Sequence, residues 1–372
     1  MRDSFAAATA VLVTTALLCG AVAPTVGVQP GTAASADGAQ PGAVAPTTDG
    51  PAADGTDDAC GFPVELTDAT GTTITLNESP DRITTVNPSA AQTLWELGEQ
   101  DRVVGVSQFA FYLDGATNRT NVSASFGASV ERVVDTEPDL VLAPNSSAGD
   151  VEALREQGLT VYHFPAAASI DDIAAKTETT GRLVGACEAA AETNAEMYDA
   201  VAAAEERTAG VDRPTALYPL GDGYVAANGT FIDAIMTAGG TDNAAAVDHE
   251  GYPQLSNEVI LATDPELLLV SDPEAAVLDE EPYASTTAGV EDNYVVMNAN
   301  YLNQPAPRSV IESTETLSNA VVETQTETGD GGAVEDETGD GGAVDTDARA
   351  PGFGVVAAAI ALLAAGLLAR RD

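Results

Sequence analysis

Strand-like and helix-like segments alternate along this chain, and one long helix-competent stretch divides the alternation in two. Before that stretch, strands are predicted at 82–86, 103–107, 140–143 and 159–163, with helices beginning near Ser89, Ser129 and Asp150. After it, strands are predicted at 215–220, 267–270 and 294–297, with helices from Thr230, Ser256 and Pro307. Such alternation indicates βαβ units and parallel strands. We therefore predict an α/β fold of two lobes with mainly parallel sheets, joined by one long helix, with a ligand cleft between the lobes.

The amino-terminal segment reads as a secretion signal. Met1-Arg2 precedes an apolar stretch and a small-residue A-x-A pattern at 34–36, so residues 1–36 are predicted to be a signal peptide. Residues 37–59 are mostly Ala, Gly, Pro, Thr and Asp, and we expect a disordered linker there. The remaining predicted boundaries are an amino-terminal lobe at 60–168 that opens with a β-hairpin at 64–76, a linking helix at 169–208 and a carboxy-terminal lobe at 209–320.

The carboxy-terminal segment predicts a membrane anchor. Residues 321–350 form an acidic, Thr- and Gly-rich repeat that reads as a spacer rather than as calcium-binding turns. Residues 351–372 contain an uncharged run up to Ala369, about 30 Å long as a helix, followed by Arg370-Arg371. The paired arginines belong on the cytoplasmic side, so the rest of the chain is expected at the cell surface, on the extracellular face of the cytoplasmic membrane. The Pro-Gly-Phe at 351–353 resembles the PGF-CTERM anchor, which leaves open whether the segment is retained or is replaced by a lipid.

The net charge is −44, from 58 acidic and 14 basic residues, and Lys176 is the only lysine. Phosphate binding needs the opposite sign, so no nucleic-acid partner is expected. Few lysines and many carboxylates are typical of proteins of halophilic archaea. Five N-glycosylation sequons begin at Asn77, Asn118, Asn121, Asn145 and Asn228.

Two cysteines remain after removal of the signal peptide, Cys60 and Cys187. An even pair outside the cell favours a disulfide, which would close a long loop. A metal site is the alternative, and the scarcity of nearby histidines disfavours it.

The sequence lacks the motifs of common enzymes. It has no G-x-S-x-G elbow, no Walker loop, no G-x-G-x-x-G and no H-E-x-x-H, so we expect no enzyme and no cofactor. Two alternative functions remain open at this point. One is capture of zinc or manganese by His163, His249 and acids such as Asp222, and the other is a structural or adhesive role in the cell envelope.

The segment from Ser129 to Ala143, Ser-Val-Glu-Arg-Val-Val-Asp-Thr-Glu-Pro-Asp-Leu-Val-Leu-Ala, resembles a motif of class III substrate-binding proteins of ABC importers. Four further matches follow in the family's order, at 154–161, 231–240, 252–260 and 307–310. Members of this class handle cobalamin, ferric siderophores and haem. The resemblance implies a rigid linking helix and bound cargo that is a corrinoid or a ferric-siderophore chelate. It also implies delivery to a permease with its ATPase, and we expect a monomer.

The resemblance also implies site residues. Glu131 and Glu258 occupy the motif positions where the family places one carboxylate on each lobe for docking onto permease arginines. Candidate ligand contacts, on loops at strand ends, are Ser89, Gln108, Phe109, Tyr112, Asn145, Phe164, Tyr218, Tyr224, Tyr252 and Arg308. Tyr252 matches an aromatic of the family's "[WY]-P-x-[VL]-S" segment. His163 could cap the metal of a bound chelate or could be a core histidine. Because Arg308 is the one arginine among these candidates, we favour a corrinoid over an anionic ferric chelate.

Overall fold

The computed structural model describes residues 60–271 and 276–329. The predicted signal peptide, linker and anchor lie outside the described residues, as does most of the predicted spacer. Among the helices that are described, none has both the length and the hydropathy needed to span a bilayer.

The amino-terminal lobe is an α/β unit with helices around a parallel sheet. Its strands are β1 (Val64–Thr67), β2 (Thr73–Leu76), β3 (Ile83–Thr85), β4 (Val103–Val106), β5 (Thr120–Asn121), β6 (Leu140–Ala143) and β7 (Val161–His163). Its helices are α1 (Pro88–Glu96), α2 (Val130–Asp135) and α3 (Ala148–Glu156). β1 and β2 form the predicted hairpin, and the other five strands pair in parallel in the order β5-β4-β3-β6-β7. Every residue of β3, β6 and β7 is buried, as expected for strands covered on both faces.

The carboxy-terminal lobe repeats this plan with a smaller sheet. Its strands are β8 (Thr215–Leu217), β9 (Pro219–Gly221), β10 (Tyr224–Val225), β11 (Asp242–Asn243), β12 (Leu267–Val270) and β13 (Tyr294–Val296). Its helices are α6 (Phe231–Ala238), α7 (Asn257–Thr263), α8 (Thr287–Val290), α9 (Ala299–Leu302) and α10 (Pro307–Gly329). Four strands pair in parallel in the order β11-β8-β12-β13, while β9 and β10 form an antiparallel hairpin.

The connection between the lobes differs from the prediction of one helix over 169–208. The stretch forms two helices, α4 (Ile170–Val184) and α5 (Cys187–Arg207), because Gly185 turns the chain with a φ of 76°. α4 packs Ile173 into the carboxy-terminal core and Leu183 into the amino-terminal core. α5 returns in the opposite sense, with Ala190 in the first core and Met197 in the second. Two packed helices, rather than one, therefore carry both cores.

Two other predicted boundaries are wrong. α10 continues to Gly329, and Val321 is buried in the carboxy-terminal core, so the lobe does not end at residue 320. The strand predicted at 215–220 splits after Leu217, because Pro219 lacks the amide hydrogen that a central parallel strand must donate. The chain turns there into the β9–β10 hairpin.

A disulfide joins Cys60 to Cys187, with a Cα–Cα distance of 5.8 Å. This is the pairing expected from the sequence. It ties the segment before the β1–β2 hairpin to the first residue of α5. The start of the amino-terminal lobe is thereby fixed to one of the two helices that cross between the lobes.

Candidate ligand-binding cleft

Lys176, on α4, joins two segments that follow parallel strands, one in each lobe. Its Nζ donates to Ser89 Oγ at 2.9 Å and to the Pro305 carbonyl oxygen at 2.9 Å. Ser89 follows β3, and Pro305 lies beyond β13. Ligands of open α/β folds bind outside the carboxyl ends of strands, so the loops on either side of this junction form the candidate cleft.

One face of α1 supplies the polar contacts between the lobes. Ser89, Gln92 and Glu96 are spaced so that they lie on the same side of the helix. Gln92 Oε1 accepts from Ser309 Oγ at 2.9 Å, and both carboxylate oxygens of Glu96 accept from Arg308, at 2.8 and 2.9 Å. We call this set of contacts, together with those of Lys176, the seam.

Three of the predicted ligand residues make contacts between the lobes, two of them within the seam. Ser89 is fully buried under Lys176, and Arg308 is held by Glu96, which raises the pKa of its guanidinium. Tyr112 packs edge-on against Tyr301 of the other lobe, with ring centroids 5.9 Å apart. Burial raises the pKa of Tyr112, and Tyr301 and Glu96 add to the effect. These side chains hold the lobes together, which leaves Arg308 without a free charge for a ligand.

Burial of the Lys176 amine lowers its pKa to about 7. The charged and the neutral amine each have enough hydrogens to donate to both acceptors, Ser89 Oγ and the Pro305 carbonyl oxygen. The only lysine of the chain thus joins the lobes as a hydrogen-bond donor within the seam.

On the amino-terminal side, the rim of the cleft carries exposed predicted residues. Gln108 and Phe109 lie in a short 3-10 segment after β4, and Asn145 follows β6. All three are exposed, and 66% of Phe109 is accessible. These residues are available to a ligand.

Phe164 and His163 are core residues. Phe164 is 1% exposed and contacts Tyr162 edge-on, so it packs in the core of the amino-terminal lobe rather than at an open rim of the cleft. The β1–β2 hairpin covers the end of β7, where Ala69 N donates to the His163 carbonyl oxygen. The ring Nδ1 of His163 donates to the Ala143 carbonyl oxygen at 3.0 Å. Of the two interpretations of His163, the structure favours the core histidine.

On the carboxy-terminal side, three tyrosines approach the cleft together. Tyr218 follows β8 and donates its hydroxyl to Asn303 Oδ1 at 3.1 Å. Burial raises the pKa of Tyr252, and the electrostatic effect of Tyr218 adds to the rise. Tyr224 starts β10, which pairs with the segment that follows Tyr252 through a bridge between Tyr224 and Gln254. Tyr224 and Tyr252 are about half exposed, so part of each ring is accessible to a ligand.

Beside Tyr218 lies a cavity of about 680 Å³, at the carboxyl ends of β8 and β12. Among the described residues that line it, Asp222, Glu280 and Glu281 are acidic and none is basic. An anionic ligand group would be repelled here, while a neutral or cationic group would be accepted.

The two predicted docking carboxylates occupy equivalent positions in the two lobes. Glu131 is the second residue of α2, which Ser129 caps, and Glu258 is the second residue of α7, which Ser256 caps. Both glutamates are exposed, and neither makes an ion pair within the described part of the chain. The geometry therefore leaves one accessible carboxylate on each lobe.

Phe126 is an exposed aromatic residue that was not among the site residues predicted from the sequence. It is 95% exposed, at the tip of a turn closed by Ala124 N donating to the Gly127 carbonyl oxygen at 3.0 Å. Arg132 donates to the Ser123 carbonyl oxygen and holds the turn on α2. The available signal was a single aromatic among small residues, directly before the motif that contains Glu131.

Proteins with related sequences and folds were identified by comparison. The chain is 47% identical over 348 residues to the cobalamin-binding protein of Halobacterium salinarum, a match that covers 88% of this chain and 94% of that protein. The fold of this chain is similar to that of the periplasmic vitamin B12 binding protein BtuF of Vibrio cholerae, with a TM-score of 0.57 and 22% identity. The match covers 66% of this chain and 98% of BtuF. The fold is also similar to that of the periplasmic heme-binding protein BhuT in complex with two hemes, with a TM-score of 0.58, 25% identity, and coverage of 66% and 100%.

The two lobes, their seam and the cleft define a two-lobed binding protein. The periplasmic binding protein family model matches residues 83–301, and the chain belongs to this family. It is a substrate-binding protein of an ABC importer and not an enzyme, as the family consists of ligand carriers that deliver cargo to a permease. Residues 350–371 match the PGF-CTERM motif, an anchor of archaeal surface proteins, so the protein is held at the extracellular face of the membrane by its carboxy terminus.

Proposed function

We propose that this protein captures a corrinoid of the cobalamin type and delivers it, as a monomer, to a permease coupled to an ATPase. The observation that carries the proposal is the 47% identity, over almost the whole chain, to a protein named for cobalamin binding. The family membership argues against the structural role in the cell envelope that the sequence left open.

The charge of the cleft supports a corrinoid over haem or a catecholate chelate. Haem and catecholate chelates carry anionic groups, which call for free cations in the site. Arg308 is engaged by Glu96, and the lining of the cavity beside Tyr218 is acidic. The faces of Tyr224 and Tyr252 offer apolar contact to a large, uncharged ring system. For zinc or manganese capture there is no support, since the described residues contain no group of three or more His, Cys, Asp or Glu that could hold a metal ion.

The test is calorimetric titration of the purified protein in molar salt with cyanocobalamin, a ferric hydroxamate, a ferric catecholate and haem. We expect saturable binding of cyanocobalamin and no binding of the ferric hydroxamate, the ferric catecholate or haem. Tyr252→Ala and Tyr224→Ala should each weaken binding about fivefold, since losing one aromatic contact costs about 1 kcal/mol. The control is Tyr198→Ala, because Tyr198 is equally exposed but lies on α5 and donates to Asp171. Binding of haem or a ferric chelate in place of cyanocobalamin would overturn the assignment.

We further propose that Glu131 and Glu258 dock the protein onto arginines of the permease. Changing both to Gln should leave cyanocobalamin affinity unchanged, because neither glutamate lines the cleft, and should lower uptake by cells more than either single change. In molar salt, screening limits the electrostatic attraction between the two proteins to a range of about 3 Å. Short hydrogen bonds between carboxylate and guanidinium persist at that distance.

The matched control for docking is the double variant Glu152→Gln/Glu291→Gln. It removes one exposed carboxylate from each lobe at other positions and changes the net charge by the same amount. Normal transport by the Glu131→Gln/Glu258→Gln variant, or an equal loss in the control, would refute the docking role.

A further inference from the structure

The five glycosylation sequons differ sharply in what the folded protein exposes. A glycosylated sequon is expected in a surface segment. A transferase that acts on the folded protein must reach both the asparagine amide and the serine or threonine two residues later. All five lie within the described residues, so each can be compared on these two requirements.

Four sequons have a hydroxyl residue that is engaged in the structure. Ser79 Oγ donates to the Val184 carbonyl oxygen at 2.8 Å and accepts from Arg102. The hydroxyl residues of the sequons at Asn121, Asn145 and Asn228 are all buried: Ser123, Ser147 and Thr230. In the first of these three, the asparagine is also occupied, because Asn121 Oδ1 accepts from Ser123 N at 2.9 Å.

The sequon Asn118-Arg119-Thr120 is different. Asn118 and Thr120 are both exposed, and it is the side chain of Arg119, between them, that packs onto the lobe. Arg119 donates to the Gln100 carbonyl oxygen at 2.9 Å, which fixes the segment to the lobe. Asn118 and Thr120, on either side of it, remain exposed to solvent. Asn118 ends a short 3-10 turn and Thr120 begins β5, so the sequon lies on a protruding corner.

This corner is on the edge of the sheet opposite the cleft. Thr120 starts β5, and the Gln100 carbonyl that Arg119 reaches precedes β4, so Asn118 lies at the amino ends of the parallel strands. The cleft is formed at their carboxyl ends, where Asn145 lies. A bulky group on Asn118 would therefore leave the cleft open. It would also shield β5, the edge strand of the sheet, from pairing with other chains.

We propose that Asn118 carries an N-linked glycan and is the principal glycosylation site of the described chain. The donor is an oligosaccharide bound through its anomeric carbon to a lipid phosphate at the outer membrane face. The Asn118 amide nitrogen forms a bond to that carbon as the bond from carbon to phosphate oxygen breaks. The lipid phosphate leaves with the electron pair, and the amide gives up one proton to a base of the transferring enzyme.

The test is peptide mass spectrometry on the full-length protein isolated from the cells that produce it. Trypsin cleaves after Arg102, Arg119 and Arg132, so Asn118 and Asn121 fall on separate peptides, residues 103–119 and 120–132. We expect glycan mass on the first peptide and an unmodified second peptide. Asn118→Gln and Thr120→Ala should each abolish this mass, while the control Asn145→Gln should leave it unchanged.

An unmodified peptide 103–119, or higher occupancy at Asn145 or Asn228 than at Asn118, would overturn the proposal. Cyanocobalamin titration of Asn118→Gln adds an independent measurement, and we expect wild-type affinity. A loss of affinity of tenfold or more would contradict the location of Asn118 away from the cleft. Glycan occupancy does not depend on which ligand is bound, so this test can fail or succeed separately from the proposed function.

Discussion

The amino-terminal and carboxy-terminal lobes share a plan but use their few basic residues differently. In the first lobe, all five arginines donate to backbone carbonyl oxygens: Arg82, Arg102, Arg119, Arg132 and Arg155. In the second lobe, Arg213 does the same, whereas Arg308 leaves its own lobe to bind Glu96. The first lobe is thus tied internally by its cations and by the disulfide. The loops around the cavity of the second lobe have no such ties among the described residues.

A very acidic protein can keep a selective cleft if its few cations are used to stabilise the fold. Here the arginines and Lys176 do so, and the cleft is left with tyrosines, amides and carboxylates. We infer that the first lobe forms the more rigid side of the cleft and that the second lobe forms the side that adjusts to the ligand.

The largest expected effect is on the core of the first lobe. Phe164→Ala should lower the free energy of unfolding by about 4 kcal/mol, because it opens a cavity in a tightly packed site. Phe126→Ala, the control for an exposed phenylalanine, should change it by less than about 0.5 kcal/mol. Denaturant unfolding in molar salt measures both changes. A small loss of unfolding free energy for Phe164→Ala would contradict the inference that the first lobe is the more rigid one.

The second-largest loss of stability is expected from removing the disulfide. Cys60→Ser/Cys187→Ser should cost about 3 kcal/mol, as the bridge closes a loop across 127 positions of sequence. Hydrogen exchange should then accelerate in the β1–β2 hairpin more than around α7. Equal acceleration in the two lobes would contradict the difference between them. Free thiols in the untreated wild-type protein would show that the bridge does not form.

A smaller effect is expected from pH, through Lys176. Burial lowers the pKa of its amine to about 7, and the unfolded chain holds the proton up to about pH 10. Between these values the unfolded state binds more protons, so stability should rise with pH, by at most about 1.4 kcal/mol per unit. Measurement between pH 7 and 9 avoids the ionisation of tyrosines. Lys176→Met should remove this slope, and a slope that persists would assign it to other groups.

The smallest effect should come from the Arg308–Glu96 ion pair of the seam. Arg308→Met or Glu96→Gln should cost about 1 kcal/mol, because the pair is charge-assisted but the arginine is partly exposed. The double variant should cost little more than either single one, which a double-mutant cycle would measure. Additive costs would mean that the two side chains act independently and that the seam does not couple the lobes.

Local features of the fold were predictable from the sequence, and contacts between distant segments were not. Ser129, Thr230 and Ser256 cap helices where the pattern predicted helix starts, since capping depends on neighbouring residues. Arg308 and Glu96 are 212 positions apart, and no local pattern shows which helix faces meet. Phe164 follows a strand and was expected at the cleft, but the hairpin that buries it comes from residues nearly 100 positions earlier. The break at Gly185 could have been inferred, because a glycine in the left-handed region commonly ends a helix.

The burial of Lys176 has a practical consequence for labelling and immobilisation. Reagents that attack primary amines find one lysine in this chain, and its nitrogen is enclosed between the lobes. Coupling chemistry of that kind should therefore leave both lobes unmodified and label almost only the amino terminus.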